Sequence, residues 1–149
     1  MMSEYNLDFF NWTEQQAEYL KSGKFYLLDI ENLAEEIASM GRSERRELLN
    51  RLAVLVMHLL KWQYQPHLQT RSWKVTIRNQ RGAILDLLED SPSLKSVIVD
   101  KFTKAYQKAR LNASDETGIS LNKFPDSCPW SMDRILEENF MPNIEAMEE

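Results

Sequence analysis

Apolar residues return at helical intervals along this chain, and the residues between them are punctuated as helices are. From about Leu7 to Lys21 the pattern predicts a first amphipathic helix, with Gly23 just past its end. "GKFYLLD" leads to a second helix, with Asp29 as its N-cap. There Ile30, Leu33, Ile37 and Met40 recur at i, i+3, i+7 and i+10, and Gly41 is expected to stop it. Ser43 then caps a third helix, which Pro66 ends near Gln65, because proline disfavours helix in the residue before it. A fourth runs from near Ser72 to about Glu89. Ser91-Pro92 is a restart signal, a capping serine followed by proline at the first helical position. The fifth helix turns Leu94, Ile98, Phe102, Ala105 and Ala109 inward, and Gly118 closes it. "FPDSCPWSMDRILEENFMP" predicts a proline-pinned loop and one short helix capped by Ser131. The expected fold is all-α: a compact bundle of about five main helices plus a short C-terminal one, with no sheet.

Two of these helices carry more than a core pattern. On the third, Glu47, Asn50, Arg51, His58, Lys61 and Gln65 share one narrow sector, and nearly everything else from Leu48 to Trp62 is apolar. A helix apolar over so wide an arc is surrounded on most sides, so this is the expected central helix. On the fourth, Trp73, Ile77, Ile84 and Leu88 make an apolar face that includes Gln80. Arg71, Lys74, Arg78 and Arg81 follow at i, i+3, i+7 and i+10 as a basic stripe beside it. On the second helix, Glu31 and Glu35 are four apart and so share a side, next to Ala34 and Ala38. Carboxylates and guanidinium groups from different helices are thereby candidates to meet at the edge of the core.

At 149 residues, with four glycines and five prolines, the chain fits one mostly regular domain with a real core. That core is expected over about 7–142, between short ends prone to disorder. A formal charge of −5 disfavours a general, charge-driven nucleic-acid binder but not a local basic stripe. The single cysteine, Cys128, cannot form an internal disulfide, and nothing spaces cysteines for zinc. "MMSEYNLDFFNW" lacks the basic start and apolar core of a secretion signal, and "LAVLVMHLLKW" is too short and too polar for a bilayer. The expected setting is therefore the cytoplasm, without a membrane.

The candidate ligand-binding residues are Glu31, Glu35, His58, Lys61, Arg71, Trp73, Arg78 and Arg81. Each has a plain structural reading beside the chemical one. Ion pairs at a helix boundary are common and stabilise by only about 0–1 kcal/mol each. The sharper reading is an anion pocket in which Lys61, Arg71, Arg78 and Arg81 converge on a phosphate or carboxylate. His58 is the best single candidate for proton transfer. A metal there would need more ligands than Glu31 and Glu35, and the paired Glu-x-x-His elements of di-iron bundles are missing, so no metal or other cofactor is expected. Cys128 has no base near it in sequence, and Trp62, Tyr64 and Trp73 at helical spacing read as core before they read as a stacking platform.

The phrases "DIENLAEEIASMGRSERREL", "HLLKWQYQP", "RSW" with "TIRNQR", "EDSPSL" and "FPDSCPWS" together resemble one bacterial family, the domain of unknown function numbered twenty-nine. The likeness runs in order from about Phe9 to Pro142, with Gly82 as a local departure inside a helix. It implies a compact all-helical domain and no particular activity. The family's phrases coincide with Glu31, Asn32, Glu35, His58, Lys61, Trp62, Arg71, Trp73 and Arg78.

Three functions follow as expectations. The first is a non-catalytic module that binds another protein or itself. The second is an anion or nucleic-acid binder acting through Arg71, Lys74, Arg78 and Arg81, and the third is an enzyme centred on His58.

Overall fold

Leucine and valine crowd the segment from Leu48 to Leu60, and those side chains are where water is most completely excluded. A computed structural model describes residues 3–142. Its helices are α1 (Glu4–Leu7), α2 (Phe9–Lys21), α3 (Ile30–Tyr64), α4 (Arg71–Asp90), α5 (Leu94–Thr117) and α6 (Met132–Ile135), with short 3-10 turns at Phe25–Leu27, Pro66–Leu68 and Leu121–Lys123. The fold is all-α, and no strand occurs among the described residues. The extreme C-terminus, expected to be prone to disorder, lies outside them.

The largest departure from expectation is α3, where the predicted second and third helices are one. Gly41 does not stop it and Ser43 caps nothing. A glycine ends a helix when it turns left-handed, as Gly23 (φ +75°) does after α2 and Gly118 (φ +73°) after α5. Gly41 keeps helical geometry, at a cost of about 1 kcal/mol relative to alanine, and no proline follows to enforce a break. Smaller differences concern ends. Asp8 splits the first helix from a short α1 and accepts from Asn11 N at 3.1 Å. Ser91 closes α4 rather than capping α5 with its side chain. Asp29 and Ser131 do cap α3 and α6, accepting from Asn32 N at 3.4 Å and Arg134 N at 3.1 Å.

The chain divides into two compact units, Met1–Glu44 and Arg45–Glu149, with the boundary inside α3. In the first, Trp12 and Gln16 are the buried side chains among the described residues, and both bind Asp29. Trp12 Nε1 donates to Asp29 Oδ2 at 3.1 Å, Asn32 Nδ2 to the same oxygen at 2.8 Å, and Asp29 N to Gln16 Oε1 at 2.8 Å. The Asn32 amide, helped by the Trp12 indole, holds the Asp29 carboxyl below its ordinary value against the opposing effect of desolvation. Tyr5 packs edge-on to Trp12 at 4.9 Å, and its hydroxyl donates to Glu36. Ile30, Ile37 and Met40, members of the apolar repeat of this stretch, are 64%, 68% and 70% exposed.

In the second unit, Leu48, Leu52, Leu55, Leu59 and Leu60 of α3 are fully buried against Ile77 and Ile84 of α4 and Ile98, Tyr106, Ala109 and Ala113 of α5. Each such leucine stabilises the fold by about 1.5–3 kcal/mol relative to an exposed one. Phe124 and Ile135 bring the C-terminal segment into the same core, and Tyr64 packs on Phe124 at 4.9 Å. The Tyr106 hydroxyl donates to the Pro125 carbonyl, and burial pushes its pKa up to about 12.

Candidate functional site

The polar sector of α3 turns out to be a seam that ties α3 to α4 and α5. Arg51 donates to Glu47 at 3.0 Å and to Gln80 of α4 at 3.2 Å. Asn50 accepts from Lys108 at 3.2 Å, and Lys61 pairs with Glu116 at 2.9 Å. The Lys61 ammonium also stands over the Trp73 ring, 4.8 Å from its centroid, so its charge is already met from two sides. Among the described residues, the one hydrogen bond of the half-buried His58 ring joins Nδ1 to the Val54 carbonyl of its own helix, at 2.9 Å. Glu31 and Glu35 belong to the first unit and are exposed, and Glu35 pairs with Arg42 at 2.6 Å. Cys128 packs against the core, where burial pushes its thiol up and away from nucleophilic form. No group of three or more histidine, cysteine and acidic residues suited to a metal occurs among the described residues.

What the structure does assemble is a groove of about 630 Å³ between α4 and the segment after α6. Arg71, Lys74, Arg78 and Arg81 all border it. Arg71, Lys74 and Arg78 are exposed, and none of the three makes an ion pair among the described residues. Val75, Ile77, Leu85 and Met141 supply apolar lining, while Asp86 and Glu138 put two carboxylates in the wall.

Arg81 is the unexpected member. The stripe was expected to lie beside the apolar face, but Arg81 is 5% exposed, between the buried Ile77 and Ile84 one turn either way. Its Nε donates to the Ile135 carbonyl at 2.9 Å and its Nη2 to the Phe140 carbonyl at 2.7 Å. The guanidinium therefore clamps the C-terminal segment to α4 with two neutral acceptors. Desolvation lowers its pKa, and no carboxylate among the described residues neutralises it. Chain reversal at Asn139 (φ 69°), a residue type that tolerates the left-handed region, returns Phe140 to this clamp and to Trp130 at 6.1 Å.

The expected convergence of four cations is thus corrected in one member: Arg71, Arg78 and Arg81 share the groove with Lys74, and Lys61 is engaged with Glu116. Glu138, Asn139 and Met141 escaped sequence reasoning, because the far wall comes from a segment more than fifty residues away, and Asp86 of α4 itself was not singled out. Gly82 did carry a signal. Its position inside α4 is locally unfavourable, yet it lies on the groove lining with nothing within 4 Å of where a Cβ would stand.

The family model described as "Domain of unknown function DUF29" matches residues 4–141. The chain belongs to this family. No curated protein and no solved structure matches it. The family match covers all of α1 to α6 and therefore every residue of the groove. No helix among the described residues is long and apolar enough to cross a membrane.

Proposed function

We propose that the chain is a non-catalytic protein-interaction module whose α4 groove takes an acidic, partly apolar segment of another protein. One observation carries the reading: Arg71, Lys74 and Arg78, which make no ion pair among the described residues, line a cleft that also presents Val75, Leu85 and Met141. An exposed arginine or lysine is well hydrated and stable without a partner, but a row of them along an apolar cleft favours a ligand carrying both characters. A long polyanion fits less well, because Asp86 and Glu138 stand in the wall and the chain carries a net charge of −5.

The test is fluorescence anisotropy with labelled peptides that alternate glutamate and leucine, set beside inorganic phosphate and a single-stranded oligonucleotide. The peptide is expected to bind, to weaken as salt rises, and to lose about tenfold or more in affinity with Arg78→Glu. Arg78 is exposed and makes no ion pair among the described residues, so this change leaves the fold intact. Peptide binding indifferent to Arg78→Glu, or tight binding of the oligonucleotide alone, would overturn the reading.

A further inference from the structure

The clamp on the C-terminal segment uses only one edge of the Arg81 guanidinium. That group offers its N–H donors in a fixed planar fork. Nε and one hydrogen of Nη2 form the side edge, and they hold the Ile135 and Phe140 carbonyls at 2.9 and 2.7 Å. Nη1 and the second hydrogen of Nη2 form the end edge, and Nη1 makes no hydrogen bond among the described residues. The sealed side-chain atoms left without a partner there are Gln63 Oε1 and Arg110 Nε. Nη1 is not with them, so it keeps an opening, and the α4 groove that Arg81 borders is where the opening lies. Arg81 is thus 5% exposed and fixed by two bonds, with a second edge unused.

Burial removes most of the water that would solvate this charge, and no carboxylate among the described residues replaces it. The two carbonyls satisfy hydrogen bonds without cancelling the charge. Such a cation gains more from an incoming anion than the exposed Arg71, Lys74 and Arg78, which water already stabilises. We infer that the end edge of Arg81 receives one carboxylate of the bound segment, in a two-donor pair, and so selects an acid at one fixed position of it. This rests on the reading of the α4 groove given above. Space for the carboxylate is present, because Gly82, next in the chain, lines the groove with nothing within 4 Å of where a Cβ would stand. Along α4, Arg78 stands three residues before Arg81 and Leu85 four after, about one turn each way. Asp86 borders the groove beside Leu85 and repels a second acid at that end. The order of the ligand follows: one acid on Arg81, an apolar side chain toward Leu85, and further acids toward Arg78 and Lys74.

Anisotropy with the full chain tests this, using a labelled peptide in which two glutamates and a serine precede a single glutamate–leucine pair. Each glutamate in turn is changed to glutamine. Loss of the pair's glutamate is expected to cost about tenfold or more in affinity, and loss of either of the others about twofold, because only one acid meets a desolvated cation. Arg81→Lys keeps the charge but not the two-donor edge, and it is expected to erase the difference between positions. Nitrogen-15 spectra of the wild-type guanidinium groups give the same answer even where that variant fails to fold. The parent peptide should shift the Arg81 Nη1 signals and leave Nε, held by Ile135, nearly in place. Equal losses at all three glutamates, an advantage that survives in folded Arg81→Lys, or unmoved Nη1 signals each overturn the role of Arg81 and leave the groove reading standing. A wild-type chain that binds neither this peptide nor the alternating one overturns both.

Discussion

The two halves of α3 both carry apolar residues at helical spacing and meet opposite fates. From Leu48 to Leu60 the apolar positions wrap most of the helix, and eight of them join ten buried side chains from the rest of the second unit in one cluster. From Ile30 to Met40 they form a strip with a spacing of three and four, and three of its four members are more than 60% exposed. The first unit holds itself by a polar knot at Asp29 and an aromatic contact among Tyr5, Phe9 and Trp12. Higher apolar content and the wider arc it covers together separate the enclosed stretch of this helix from the one that has only a seam to offer.

The contrast is broken most directly by truncating one side chain in each unit. Leu55→Ala, at a site with 0% exposure, is expected to cost about 2–5 kcal/mol in urea unfolding. Tyr26→Ala, at 82% exposure, is expected to stay within about 0.5 kcal/mol. Comparable losses at the two sites would mean that the first unit has a core of its own.

One group from each unit titrates at opposite ends of the pH scale, Asp29 in the first and Tyr106 in the second. Asp29 is held below its ordinary value of 3.8, so what it adds to the first unit is fully present above that pH and is lost as pH falls through the lower folded value. Tyr106 moves the other way, from 10.0 to about 12, so its contribution to the second unit is present below pH 10 and lost as pH rises through about 12. The Trp12 indole proton resonance, bonded to Asp29, should shift on the acid side. Tyr106 should be the last of the five tyrosines to ionise in an absorbance titration, with Tyr5 and Tyr64 also raised above the ordinary value. A Trp12 signal that follows Tyr106 instead would merge the two units into one titrating body.

A small gain is expected in both units. Gly82→Ala and Gly41→Ala each place a Cβ where nothing lies within 4 Å, in a helix interior. Each should stabilise by about 0.5–1 kcal/mol in thermal unfolding. A loss at Gly82 alone would show that the groove needs that opening for its own stability.

Sequence reasoning reached the helices, the central position of Leu48–Leu60, the caps at Asp29 and Ser131, and the basic stripe of α4, because each is written within one or two turns of chain. It misjudged Gly41, since a glycine's stop depends on its φ, which the residue type permits but does not impose. It placed Lys61 with the α4 cations because all are positive, whereas Glu116, fifty-five residues on, claims it.

Local spacing is a property of covalent order and helical pitch, and so the chain's helical character and the wide apolar arc of its middle were readable before any coordinates. Burial of Arg81 was not. Nor was the second wall of the groove. Both arise where Ile135 and Phe140 return to α4, more than fifty residues later in the chain. No periodicity records such a meeting, because it is settled by which apolar surfaces can close over one another once the helices pack.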